Sequence, residues 1–137
     1  MVSYEVDENH LDARSVAARI GVDAAKVFKT LVCRGDRTGV CVFCVPGDRE
    51  LDLKKAAQES GNRKIAPASL RELQPLTGYI RGGCSPFGMK RNYPTFLDQS
   101  ALVYDRIFVS GGARGIQIQL DPQALLKYTG AALADLV

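Results

Sequence analysis

The feature that most constrains the fold of this chain is an uninterrupted apolar run, Gly-Val-Cys-Val-Phe-Cys-Val, at residues 39–45. A short run without polar alternation and rich in β-branched residues predicts a buried strand. A similar run from Phe28 to Cys33 precedes it, and the turn-forming residues Gly35 to Gly39 lie between the two. The pair therefore predicts a β-hairpin near the centre of the domain.

Two of the four cysteines, Cys41 and Cys44, lie in this run and formally make a C-x-x-C motif. Successive side chains of a strand point to opposite faces, so two residues three apart cannot share a metal ion or a disulfide without a bulge. We therefore interpret both as small core residues, and Cys33 likewise, rather than as zinc ligands or a redox pair. Cys84 lies among glycines and is the cysteine expected to be accessible.

Capping residues and apolar spacing divide the rest of the chain into short elements. Helical segments are predicted at 13–20 after Asp12, 24–27 after Asp23, 53–60 after Asp52, behind the capping box Ser69–Glu72, and from Pro122 to Gly130 after Asp121. Strands are predicted at 2–6, 77–80, 94–98, 106–110 and 115–120, besides the hairpin. About seven strands and four or five short helices predict a single α+β domain, residues 1–137, with a mixed and curved sheet.

Composition excludes several classes of function. The chain has one histidine, His10, which rules out any site that needs two imidazoles, such as a His₂ or His₃ zinc site. No segment approaches the ~18 apolar residues of a membrane span, and the N-terminus does not have the pattern of a signal peptide. We therefore expect a cytoplasmic protein, without a metal or cofactor. The net charge of +3 permits a nucleic-acid partner without requiring one.

Two glycine-rich loops and one lysine are candidate binding elements. Gly111 to Gly115 precedes a segment that alternates like a strand, whereas a dinucleotide-binding loop would open a helix, so a β-turn is favoured. The loop Gly82-Gly-Cys-Ser-Pro-Phe-Gly88 offers backbone N–H groups for an oxyanion or carbonyl oxygen, and a tight connector fits it equally well. Lys29 interrupts the apolar run from Phe28 to Cys33, so its ammonium either reaches solvent at a sheet edge or points into a cavity.

Five motifs follow one another in the order seen in the YbaK/EbsC proteins, which the chain resembles over nearly its whole length, from about Tyr4 to Leu136. The motifs are Phe28-Lys-Thr-Leu-Val32, Leu51-Asp-Leu-Lys-Lys-Ala56, Thr77 to Gly88, Pro94 with Asp98, and Val109-Ser-Gly-Gly-Ala-Arg-Gly115. That family consists of free-standing aminoacyl-tRNA deacylases related to the editing domain of bacterial prolyl-tRNA synthetase. The resemblance implies hydrolysis of the ester between a mischarged amino acid and tRNA. The Gly-Gly-x-Ser-Pro-x-Gly form of the loop resembles the branch that acts on Cys-tRNA(Pro).

The resemblance also implies roles for particular residues. Lys29, Gly82 and Gly83 would be catalytic, with the lysine on the terminal adenosine or its phosphate and the two amides on the ester carbonyl oxygen. Further substrate contacts would come from a second set: Tyr4, Thr30, Ser85, Pro86, Ser110, Gly111, Gly112, Arg114 and Gln117. Some family members have an aspartate where this chain has Gln117, and we expect the family's helix ahead of the Tyr4 strand to be missing here.

The implied chemistry is substrate-assisted, because the thiol of the bound cysteine attacks its own carbonyl carbon. This suits a chain whose residues suggest no Ser-His-Asp or Cys-His set, and in which His10 is expected at the surface. The expected partner is mischarged tRNA(Pro), with prolyl-tRNA synthetase as a further partner and neither DNA nor a membrane. Basic residues are candidates for tRNA contacts, although ordinary solvated charges explain them as well: Lys54, Lys55, Arg63, Lys64, Lys90, Arg91 and Arg114.

Two other functions fit the same residues. One is a deacylase for a different mischarged tRNA, such as Ala-tRNA(Pro). The other is a non-catalytic module that binds tRNA ends or an amino acid.

Overall fold

A computed structural model describes all residues, 1–137, as an α+β domain with four helices and eight short strands. The helices are α1 Ala13–Ile20, α2 Leu53–Ser60, α3 Leu70–Thr77 and α4 Pro122–Thr129. The strands are β1 Val2–Ser3, β2 Phe28–Gly35, β3 Gly39–Pro46, β4 Ile65–Pro67, β5 Thr95–Asp98, β6 Ile107–Ser110, β7 Ile116–Leu120 and β8 Ala132–Ala134. None of the helices is long and apolar enough to span a membrane.

The strands form two sheets. The larger is mixed, in the order β4-β2-β3-β5-β8, and the smaller is antiparallel, in the order β1-β7-β6. A single parallel bridge between Val27 and Phe108 links them. The predicted single-domain α+β class with mixed strand pairing is confirmed, but the prediction of one curved sheet of about seven strands is wrong, because the eight strands divide into two sheets.

The predicted hairpin of β2 and β3 is at the centre of the larger sheet, and most side chains of β3 are buried on both faces. Cys41, Phe43 and Val45 pack on one face against α2 and the C-terminal residues. Cys44 belongs to a different core cluster, with Phe28 and the strands β5 and β6. The two cysteines of the C-x-x-C motif therefore point to opposite faces, as the strand period requires. Both are free thiols.

The helix boundaries follow local capping interactions. Asp12, Asp23, Asp52 and Asp121 each accept a hydrogen bond from a backbone N–H of the first turn that follows, and Ser69 forms the predicted capping box. These side chains satisfy N–H groups that have no partner inside the helix. The predicted strand at 77–80 is wrong, because α3 continues to Thr77 and ends at Gly78, whose φ is 85°.

A buried carboxylate anchors the C-terminal residues to the larger sheet. Asp98, at the end of β5, is 1% exposed. Its two carboxylate oxygens accept hydrogen bonds from the Leu136 N–H at 2.9 Å and the Ser100 N–H at 3.1 Å. This residue belongs to one of the motifs found in the sequence, and the structure gives it a supporting role away from the cavity described next.

Candidate active site

A cavity of about 600 Å³ opens beside strand β2. Only residues Cys33 to Gly35 of β2 pair with β4, and the backbone pairing of β6 in this region is limited to the bridge between Phe108 and Val27. The stretch of β2 between these contacts has no neighbouring strand on that side. Its residues, from Phe28 to Val32, line the cavity. The other sides are lined by the loop Gly82–Gly88, called the glycine loop below, by β6 and β7, and by the start of α3.

Lys29 lines this cavity from the unpaired stretch of β2. Its side chain is 23% exposed, and its ammonium lies 3.5 Å from the carboxylate of Glu50, which is almost fully exposed. The sequence allowed this ammonium to lie either in solvent at a sheet edge or in a cavity, and in the structure Lys29 lines the cavity. An exposed carboxylate at this distance holds the ammonium only weakly, so the charge is available to a ligand.

The glycine loop Gly82–Gly88 contributes two residues to the lining of the cavity. Gly82 has a φ of 83°, a conformation that strongly favours glycine, and both Gly82 and Cys84 line the cavity. The N–H groups of Gly82 and Cys84 make no hydrogen bond within the protein. The Gly83 N–H, by contrast, donates to the Ile80 carbonyl at 3.0 Å. The donors available for a carbonyl oxygen are therefore those of Gly82 and Cys84, and the predicted pairing of Gly82 with Gly83 does not match this geometry.

The turn between β6 and β7 packs directly against the glycine loop. A Cβ on Gly83 would stand 3.2 Å from both the Ala113 Cα and the Arg114 nitrogen, so a larger residue would push the two loops apart by a few tenths of an ångström. The Arg114 Nε donates to the Arg81 carbonyl at 2.8 Å, which ties the loops together a second time. The aromatic ring of Tyr79 fills the space beside Gly112, and its hydroxyl donates to the Phe87 carbonyl.

Ser110 and Gln117 are cross-strand partners on β6 and β7, and both line the cavity. They are 8% and 4% exposed, which places them at its buried end. The Gln117 amide oxygen is buried and accepts no hydrogen bond. An unsatisfied buried amide is costly, and rotation of the terminal amide group can turn either its donor or its acceptor toward a ligand.

The cavity contains no nucleophile paired with a base. Burial raises the pKa of the Cys84 thiol to about 11, so this thiol is protonated and a poor nucleophile at neutral pH. His10 is exposed, outside the cavity, and its Nδ1 lies 2.8 Å from the Asp7 carboxylate. The arrangement can position an ester, place positive charge near it and hold its carbonyl oxygen.

The structure brings together five of the predicted site residues in one cavity: Lys29, Thr30, Gly82, Ser110 and Gln117. A second group shapes the surrounding loops without lining it: Gly83, Ser85, Pro86, Gly111, Gly112 and Arg114. Ser85 is buried, and its hydroxyl accepts the Phe87 N–H. Tyr4 lies outside the cavity, where its N–H donates to the Gly115 carbonyl. Substrate contacts by these residues stay predictions.

Sequence reasoning missed other residues that line the cavity. Arg81, which precedes Gly82 and Gly83, lines the cavity. Leu53 and Leu70 line the cavity from the first positions of α2 and α3. Arg81 and Leu53 fall inside motifs quoted from the sequence, so they could have been noticed. Leu70 carries no signal beyond its place after a capping serine.

Among the predicted tRNA contacts, the Lys55 ammonium donates hydrogen bonds to the Asp135 carboxylate and the Val137 carbonyl.

The fold and the cavity define a small α+β domain built to hold an ester without a side-chain nucleophile, and comparisons with known proteins agree. Residues 7–128 match the aminoacyl-tRNA editing domain. The chain is 50% identical over 129 residues to EbsC of Enterococcus faecalis, a proposed Cys-tRNA(Pro)/Cys-tRNA(Cys) deacylase, covering 94% of this chain and 79% of EbsC. It is 30% identical over 125 residues to the uncharacterized YwhH of Bacillus subtilis, covering 91% and 79%.

A solved structure gives the same result for the fold. A proposed trans-editing enzyme for prolyl-tRNA synthetase superposes with a TM-score of 0.86 and 32% identity, covering 96% of this chain and 83% of that one. The chain belongs to the aminoacyl-tRNA editing domain family. The reaction of that family is hydrolysis of the aminoacyl ester, and its substrate is aminoacyl-tRNA. The predicted family is confirmed.

Proposed function

We propose that this protein hydrolyses mischarged Cys-tRNA(Pro) in trans, in the cavity beside β2. The observation that carries the proposal is the convergence of Lys29, the free amides of Gly82 and Cys84, and the buried pair Ser110 and Gln117 on one cavity. Cysteine and proline are similar in size, and a pocket separates such residues by only about 1–3 kcal/mol, so a second hydrolytic step is useful to the cell. The 50% identity to EbsC supports the same substrate.

In the proposed mechanism the substrate supplies the nucleophile. The cysteinyl sulfur forms a bond to its own carbonyl carbon, the bond to the 3′ oxygen of the tRNA breaks, and the thiol proton goes to that oxygen. The cyclic thioester then takes up water to give free cysteine. The amides of Gly82 and Cys84 would hold the carbonyl oxygen as negative charge develops on it, and each such donor contributes about 3–4 kcal/mol to the lowering of the barrier.

The other cavity residues would orient the substrate. The Gln117 amide and the Ser110 hydroxyl would contact the α-amino group and the amino-acid side chain. Lys29 would place its ammonium near the ribose or phosphate of the terminal nucleotide. The role of the protein is then positioning and charge stabilisation, which require neither a second histidine nor a reactive cysteine.

We further propose that prolyl-tRNA synthetase assists binding and that the protein acts in the cytoplasm. The net charge of +3 gives only modest attraction to tRNA, and the structural similarity to a proposed trans-editing enzyme for prolyl-tRNA synthetase supports such a partner. Of the basic residues expected to contact tRNA, Lys54, Arg63, Lys64, Lys90 and Arg91 are exposed. These contacts would weaken as salt rises.

A deacylation assay with purified protein tests the proposal. Cys-tRNA(Pro), Ala-tRNA(Pro) and Pro-tRNA(Pro) are offered in parallel, and we expect release of cysteine with alanine and proline left in place. A fourth substrate, S-methylcysteinyl-tRNA(Pro), keeps the shape but blocks the thiol, and we expect it to resist hydrolysis. Turnover of the S-methyl substrate would refute substrate assistance. Binding of all four without hydrolysis would identify a non-catalytic module instead.

A further inference from the structure

The mouth of the cavity is apolar and solvent-exposed. Leu53, the first residue of α2, is 43% exposed, and Leu70, the first residue of α3, is 68% exposed, yet both line the cavity. Leu31, Leu51 and Leu73 also line the cavity and are partly buried. Single exposed leucines are ordinary, whereas two exposed leucines from different helices that line one cavity give its open part an apolar character.

The depth of the lining residues orders the substrate along the cavity. The most enclosed polar residues are Ser110 and Gln117, at 8% and 4% exposure, whereas the two leucines are exposed. The amino acid is the last group of an aminoacyl-tRNA, so it must enter first and lie deepest. The ribose and base to which it is esterified follow directly, and the rest of the tRNA stays outside. The leucines therefore lie where the terminal nucleoside must pass.

We propose that Leu53 and Leu70 form the subsite for the adenine base of the terminal nucleotide. This inference rests on the proposed function. The cavity, at about 600 Å³, is in the range that encloses drug-sized ligands and leaves room for a nucleoside beside the small cysteinyl group. The flat base is the least polar part of that nucleoside, and the leucine wall matches it. Positive side chains of Arg14, Lys29 and Arg81 line the same cavity and complement the adjoining phosphate.

The subsite would give the protein a way to select esters of adenosine over free amino-acid esters without reading the body of the tRNA. Glu50 is the negative side chain nearest to Lys29, and its exposed carboxylate can turn away when the phosphate arrives. The apolar contact would be made with the substrate and the transition state alike. It should therefore act on KM and leave kcat unchanged.

Variants Leu53→Ser and Leu70→Ser, singly and combined, test the subsite by two measurements. The first is the affinity for the non-hydrolysable 3′-cysteinylamido-3′-deoxyadenosine, measured by calorimetry. Each substitution should weaken binding by about five- to tenfold, because roughly half of a leucine side chain would be newly covered by the base. The second is hydrolysis of Cys-tRNA(Pro) and of cysteine ethyl ester, which lacks the base. KM should rise for the tRNA ester and stay unchanged for the ethyl ester.

The matched control is Val103→Ser, an exposed apolar residue outside the cavity, at 79% exposure. It should change neither affinity nor KM, and thermal melts should show all variants folded. Equal binding of the analogue by the double variant and the wild type would overturn the subsite, as would failure of the wild type to bind the analogue. Absence of ester hydrolysis with normal, leucine-dependent binding of the analogue would refute the proposed function while leaving the subsite intact.

Discussion

Replacing Lys29 by methionine separates a functional role of this lysine from a structural one. Methionine keeps most of the length and the apolar contacts of the lysine stem but removes the charge. The only ion pair of Lys29 is with the exposed Glu50, at 3.5 Å, and such surface pairs contribute about 0–1 kcal/mol to stability. For a domain of this size that corresponds to a change in Tm of at most a few degrees, roughly 2–5 °C.

The expected effect on catalysis is much larger than the effect on stability. A charge-assisted hydrogen bond to an anchoring phosphate contributes about 1.5–3 kcal/mol, so its loss lowers kcat/KM, which single-turnover reactions at subsaturating protein report, by about 10- to 150-fold. Single-turnover deacylation of Cys-tRNA(Pro) by Lys29→Met should fall by that factor, and Lys29→Arg should recover part of it. Glu50→Gln is the matched control, because it removes the same ion pair and should leave the rate unchanged. A Lys29→Met rate within threefold of the wild type would show that the Lys29 ammonium does not contribute to catalysis.

Three further predictions follow from burial and hydrogen bonding. Cys84→Ser should keep deacylation activity, and alkylation of this thiol by iodoacetamide should be slow at pH 8 and accelerate toward pH 11, because burial raises its pKa to about 11. Burial likewise raises the pKa of Cys33 and of Cys44 to about 12, above the ~8.5 of an unfolded chain. The unfolded state therefore loses these protons first, so urea midpoints should fall as pH rises from about 8.5, and a flat profile up to pH 11 would contradict this burial. Asp98→Ala should lower the free energy of unfolding by about 2–4 kcal/mol, since it leaves two amides without an acceptor, and urea titration measures it.

The helices and the hairpin could be predicted because their signals are local. Asp12, Asp52 and Ser69 cap the turn that immediately follows each of them, and the apolar run of β3 requires a core on both faces. The three-residue strands β4 and β8 were missed, since they exist only through pairing with distant strands. The division into two sheets was missed for the same reason, because it depends on β6 pairing with β7 and meeting the β2 edge in a single bridge between Phe108 and Val27.

The candidate site was partly predictable through the resemblance of its motifs. Lys29 and Gln117 lie on strands whose positions the sequence fixes, and both line the cavity. The detail of the glycine loop was not predictable, because the direction of each N–H depends on backbone torsions. The Gly83 N–H turns back to the Ile80 carbonyl, which leaves the Gly82 and Cys84 amides for a ligand. The leucines at the mouth were missed because only the fold brings the starts of α2 and α3 to the same cavity.

In the proposed function, the cavity beside β2 receives the aminoacyl end of a mischarged tRNA. A crystal structure with 3′-cysteinylamido-3′-deoxyadenosine, whose amide resists hydrolysis, tests it most directly. The cysteinyl group should lie next to Ser110 and Gln117, with its carbonyl oxygen within hydrogen-bond distance of the Gly82 and Cys84 amides. Binding of the analogue at any other place on the protein, or with the cysteinyl group outside the cavity, would contradict it.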